Sequence, residues 1–209
     1  MISLSLWNNI FMGGTLLFAI VMMGMPRLPA MLRFFALSSL CLAGLIVTSS
    51  LMKGDEQPYA IAIINIVFKV ILAPSILFFA ARKVRASMAL KFYLRPTATY
   101  FAALLVLLIS VFVSLRMPGV PYLSIALVLL GLVFMMVRKD LYSQIIGFMT
   151  MENGIAAYGV LMIGGFPFMI ETGILFVVIT GAILMAILSR HVQELYATGD
   201  TESLTELTE

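Results

Sequence analysis

Short clusters of charge, and before the last run a Gly-Gly-Phe-Pro turn, divide this chain into seven apolar runs, at about residues 4–25, 31–51, 58–81, 97–115, 119–137, 143–163 and 166–189. Each is close to the roughly 20 residues that an α-helix needs to cross a bilayer. Lipid offers no partner to a backbone amide or carbonyl, so runs of this length fold as helices that satisfy their own hydrogen bonds. Charged residues are 11% of the chain, against roughly 25% in ordinary globular domains. The expected fold class is therefore all-α, a polytopic membrane protein with seven transmembrane helices. It divides into a four-helix part (1–118), a three-helix part (119–190) and an acidic tail (191–209), and no soluble domain of useful size remains.

The formal net charge of +3 does not indicate nucleic acid, because the basic residues lie in the loops between runs. Arg27, Arg33, Arg82, Lys83, Arg85, Lys91, Arg95, Arg138, Lys139 and Arg190 fall on one side of the expected membrane. Lys53 and Arg116 fall on the other. Basic loops stay cytoplasmic, which puts the N-terminus outside and the C-terminus in the cytoplasm, as an odd number of spans requires. The first run has no basic residue before it and no small-residue cleavage site after it, so it is expected to be a retained helix.

Cys41 and His191 are the single cysteine and histidine. One of each excludes an intrachain disulfide, a Cys/His metal site, an iron–sulfur cluster held by this chain alone and a bis-histidine haem. No cofactor is expected, and any redox chemistry belongs to another subunit. Sixteen methionines scatter without ligand spacing and suit gap filling.

Three ionisable residues interrupt the apolar runs: Lys69, Glu152 and Glu171. A charge near the centre of a spanning helix costs a few kcal/mol on insertion scales, so it persists where it pairs, meets water or carries protons. Lys69 lies about 16 Å from either end of its run at 1.5 Å per residue, too far for its stem to reach the headgroups. Pro74 follows five residues later, and its missing N–H is expected to free the Val70 carbonyl. Interrupted helices of this kind line ion sites in transporters. Asn65, one helical turn earlier, shares the Lys69 face. Glu152 is central in its span, with Asn153 beside it and the small or apolar Ile155, Ala156 and Gly159 on its face. Glu152 and Glu171 are expected at about 16 Å and 8 Å below the outer surface, neighbours joined through water or a third side chain. Low-dielectric surroundings disfavour the charged form of any such group, which is the raw material of a proton relay. The competing reading is a buried Lys69–glutamate pair that only fixes helix register.

Elsewhere, Gly13 and Gly14 suit close helix packing. Thr150, Thr172 and Thr180 suit either packing or an extension of a polar path. Residues 82–96 form the most basic stretch, open to two readings: an interfacial helix on anionic lipid or a docking surface for a cytoplasmic partner. The tail carries Glu194, Asp200, Glu202, Glu206 and Glu209, with Ser203 and Glu206 at capping-box spacing.

The segments FKVILAPSILFFAAR, QIIGFMTMENGIAAYG and FPFMIETGILFVVITGAILMAILSR resemble component E of hydrogenase-4 and formate hydrogenlyase type complexes, the HyfE family. The resemblance covers most of the chain. The last three spans, with a glutamate in each of the final two, are also similar in plan to the NuoK subunit of respiratory complex I and the MrpC subunit of cation/proton antiporters. The chain departs from the family pattern at Val177, where an acidic residue is frequent, and at Ile155 and Ala156, where a histidine can follow Glu-Asn-Gly. The resemblance implies a non-catalytic subunit of a membrane-bound NiFe hydrogenase or complex-I-like assembly in a bacterial or archaeal plasma membrane. Its implied partners are antiporter-like membrane subunits and a peripheral hydrogenase/iron–sulfur arm. Glu152 and Glu171 would match the paired glutamates of the hydrophilic axis, and Lys69 the lysine before the proline. Two alternatives stand beside this expectation: a stand-alone cation or small-solute transporter, and a purely structural membrane anchor.

Overall fold

A computed structural model of the chain describes residues 2–53, 62, 63, 65–83, 95–163, 183 and 187. Among these there are six α-helices: α1 (Ile2–Met23), α2 (Leu28–Lys53), α3 (Ala73–Lys83), α4 (Pro96–Arg116), α5 (Tyr122–Val137) and α6 (Leu141–Tyr158). Two π-helical stretches join them, Ile66–Leu72 leading into α3 and Gly159–Ile163 continuing α6. Four helices are long and apolar enough to cross a bilayer, over Leu4–Met23, Leu28–Met52, Pro96–Arg116 and Tyr142–Met162, with shorter apolar helices at Ile66–Phe79 and Tyr122–Val137. The protein is an all-α, multi-pass membrane protein. Most of the seventh apolar run with Glu171, the outer loop after α2, most of the basic stretch after α3 and the acidic tail lie outside the described residues.

Helix ends follow local chemistry. Pro96 opens α4, where its fixed φ suits the first turn and its missing N–H costs nothing. Gly119, at φ 103°, turns the chain between α4 and α5 in a conformation that a Cβ disfavours. Pro121 precedes α5, and Arg138 ends it in extended backbone, which makes this helix shorter than the 119–137 run. Asp140 caps α6 by accepting from the Ser143 N–H and hydroxyl, each at 2.8 Å.

The α5–α6 pair is the tightest in the bundle. A Cβ at Gly131 would stand 2.5 Å from the Met151 nitrogen, and one at Gly154 would stand 2.7 Å from the Val128 nitrogen. These glycines let two backbones touch, which is how helices associate where lipid supplies no hydrophobic drive. Between α1 and α2 the expected glycine pair divides. Gly14 faces Cys41 Sγ, whereas Gly13 has open space around it. Consecutive helical residues point about 100° apart, so only one of them can meet α2.

Two apolar clusters stack along the bundle. One holds Met31, Phe35, Leu77, Leu130, Phe134 and Ile146; the other holds Leu42, Leu45, Leu123, Leu127, Ala157 and Val160. Between them in chain order lie buried polar residues: Ser38 and Ser39 on α2, Asn65 and Lys69 on the third segment (65–83, the π-helical stretch and α3), Glu152 and Asn153 on α6. A polar layer thus crosses the bundle between two greasy ones. The outward faces of α1 and α4 expose Leu6, Trp7, Leu17, Phe101, Leu108 and Leu115, as helices do when their solvent is hydrocarbon.

At one end of the bundle Arg138 is wholly buried. Its Nη2 donates to the Met23 carbonyl at 2.9 Å and the Met25 carbonyl at 2.7 Å, and its guanidinium stacks on Phe134 at 5.1 Å. Those carbonyls close the end of α1, so one side chain joins the ends of two helices distant in sequence. Burial pushes the Arg138 guanidinium down to about 10, with Asp140 and Tyr100 opposing the shift, and it stays charged at neutral pH. Arg138→Ala is expected to lower unfolding stability by about 1.5–3 kcal/mol, the range for hydrogen bonds to charged groups. Arg138→Lys should recover only part, because an ammonium cannot stack and fork at once. A denaturation midpoint in detergent unchanged by Arg138→Ala would show that the bonds contribute nothing.

Candidate functional site

The polar layer converges on Lys69. Its Nζ lies 3.0 Å from Glu152 Oε1, with side-chain exposures of 2% and 5%, and donates to Asn153 Oδ1 at 3.2 Å. Asn153 Nδ2 in turn donates to Ser39 Oγ at 3.1 Å. One connected chain therefore runs Glu152, Lys69, Asn153, Ser39 across α6, the third segment and α2.

Local sequence explains each placement. Glu152 and Asn153 occupy adjacent positions of α6, about 100° apart, so they approach Lys69 from two sides. The close α5–α6 packing at Gly154, two residues on, holds that part of α6 against its neighbour. Lys69 sits in the middle of the π-helical stretch, and the Ala73 N–H reaches back five residues to the Phe68 carbonyl. A wide turn of this kind frequently marks a functional site.

The widened turn adds a second acceptor to the helix break expected at Val70. The donor that would continue the five-residue register onto the Lys69 carbonyl is Pro74, which has no N–H. Pro74 therefore has no N–H to give either the Lys69 carbonyl, five residues back, or the Val70 carbonyl, four residues back. Ser75 Oγ supplies a donor nearby, to the Ile71 carbonyl at 2.6 Å.

Among the described residues, several polar atoms of this layer have no hydrogen-bond partner: Glu152 Oε2, Asn65 Oδ1 and Asn65 Nδ2. Asn65 is 2% exposed. Leaving such a group unsatisfied costs about 1–3 kcal/mol, and buried water is the usual remedy where the surroundings are polar. The arrangement can hold a charge pair in the hydrocarbon and offers unused acceptors and donors on the carboxylate and on the amide one turn from the lysine.

Of the residues singled out from sequence, Lys69, Glu152 and Asn153 are in direct contact. Asn65 and Pro74 flank Lys69 on the same segment, and Glu171 lies outside the described residues. Thr150 returns its hydroxyl to the Ile146 carbonyl at 2.8 Å, a local bond that favours the packing role. Ser39 was not anticipated; a serine pair in an apolar run carries no signal until the face of α2 is known. Among the described residues no cluster of three or more His, Cys, Asp or Glu side chains is placed to hold a metal ion. Comparison of the chain with protein-family models, with curated proteins and with solved structures gave no match in any of the three.

Proposed function

We propose that this chain is a non-catalytic, seven-span membrane subunit of a membrane-bound NiFe hydrogenase or complex-I-like redox complex, with its N-terminus outside. In this reading Lys69, Glu152 and Glu171 contribute to a proton or cation path coupled to electron transfer elsewhere. Its partners are antiporter-like membrane subunits and a peripheral iron–sulfur arm, and it holds no cofactor of its own.

The observation that carries the reading is the buried Lys69–Glu152 pair, one of whose carboxylate oxygens has no partner among the described residues. A pair serving only helix register gains from using every lone pair, because desolvation otherwise cancels the attraction. An open oxygen beside a lysine is where a water or a neighbouring acid can deliver a proton. Glu152→Gln keeps shape and removes the titratable group. It is expected to leave the complex assembled while lowering ion translocation per substrate oxidised by roughly a hundredfold, the scale of a lost proton-transfer group. Unchanged coupling would sink the relay role.

A second reading, a stand-alone transporter of a cation or small solute, is favoured by the π-helical interruption at Lys69, since broken helices line substrate sites in such proteins. Uptake by the purified chain in liposomes, dependent on Glu152, would move it ahead.

A further inference from the structure

A groove of about 480 Å³ opens between α2 and the third segment, lined by Leu32, Arg33, Ala36, Val70, Pro74 and Phe78 among others. Its volume falls within the roughly 300–1,000 Å³ of small-ligand sites. The lining is aliphatic and aromatic apart from Ser75, whose hydroxyl is turned to the Ile71 carbonyl, and one end, where α2 begins and α3 finishes. There Arg33 is exposed on the groove wall. Arg82, also exposed, lies with its guanidinium 5.3 Å from the ring centroid of Phe78, which lines the groove. Neither arginine is paired with an acid among the described residues.

We infer that this groove binds one anionic phospholipid, its acyl chain along Leu32, Ala36, Val70 and Phe78 and its phosphate between Arg33 and Arg82. Charge complementarity decides the occupant. One exposed guanidinium on the groove wall, and a second stacked on a lining phenylalanine, match a molecule with an anionic head and a hydrocarbon tail. A soluble anion would leave the trough empty, and a zwitterionic lipid would add a cation beside two others. Guanidinium suits phosphate because its forked donors can engage two oxygens. The inner wall is formed by Val70 and Pro74, so the chain would lie directly against the widened turn that carries Lys69.

Photo-crosslinking tests this in native membranes. With Phe79→p-benzoylphenylalanine on the exposed rim of the groove, irradiation and mass spectrometry of the adducts are expected to show anionic phospholipid enriched over its share of bulk lipid. Arg33→Gln and Arg82→Gln should each reduce the enrichment about fivefold, the scale of one basic residue at a membrane surface, and the lysine variants should retain most of it. Adducts at the bulk lipid ratio, adducts to a protein segment, or enrichment that survives both glutamine changes would each overturn the assignment. If the glutamine variants do not fold, the adduct ratio of the otherwise unaltered chain decides alone. This result is independent of whether Glu152 moves protons.

Discussion

Lys69→Met is expected to destabilise the protein by about 3–5 kcal/mol, because it leaves a buried carboxylate without its counter-charge. Among the described residues Glu152 has one charge partner, Lys69, and its second oxygen has none. The change removes its whole compensation. The double variant Lys69→Met, Glu152→Met should recover most of that loss, as apolar replacement of a buried pair is often neutral or better. A deficit of about 1–3 kcal/mol should persist, because Asn153 Oδ1 loses the donor that satisfied it. Unfolding midpoints of the two variants in the same detergent give the comparison. Activity then separates the two meanings of the pair. A structural lock predicts that the stable double variant translocates normally; a charge path predicts that it folds and does not translocate. Equal stability of the single and double variants would mean that the ion pair is not the interaction drawn here.

The charges themselves were legible because each stands alone in an apolar run, where physical cost makes it conspicuous. Their partnership was half legible. A Lys69–glutamate pair is one of the two readings the sequence allows and Asn153 stands beside Glu152, but Ser39 carries no signal, since two serines in an apolar helix look like any small-residue packing site. Arg138 was counted for the charge it adds to a loop. Sequence gives the sign of a charge but not its burial, and the carbonyls of Met23 and Met25 that receive it are more than a hundred residues away. Pro74 announced a broken helix, yet the π-helical register before it depends on how α2 and α6 hold Lys69 in place. A proline shows where a donor is missing without showing how many residues the turn before it contains.

The glycines of α5 and α6 were silent in sequence and carry the second large expectation. Gly131→Ala and Gly154→Ala should each cost stability toward the upper end of about 1–3 kcal/mol, the usual range for overpacking. At both sites the added carbon would meet backbone atoms, 2.5 Å from the Met151 nitrogen and 2.7 Å from the Val128 nitrogen respectively. Backbone cannot rotate aside as a side chain can, so relief must come from the helices moving apart. Gly147→Ala should be milder, because its nearest obstacle is the flexible Met135 side chain at 2.7 Å, with the Gly131 carbonyl oxygen at 3.0 Å. Gly13→Ala is the control. Nothing lies within 4 Å of its Cβ position, and replacing a helical glycine should gain about 0.8–1 kcal/mol. The ranking has a functional corollary at Gly154, two residues from Glu152 on α6. A shift of α6 by 1 Å would stretch the 3.0 Å contact to Lys69 to the edge of an ion pair. If the proposed charge path holds, Gly154→Ala should therefore impair ion translocation, whereas Gly13→Ala should leave it unchanged. Equal midpoints for the alanine variants at positions 13, 131 and 154 would show that the two helices do not meet backbone to backbone.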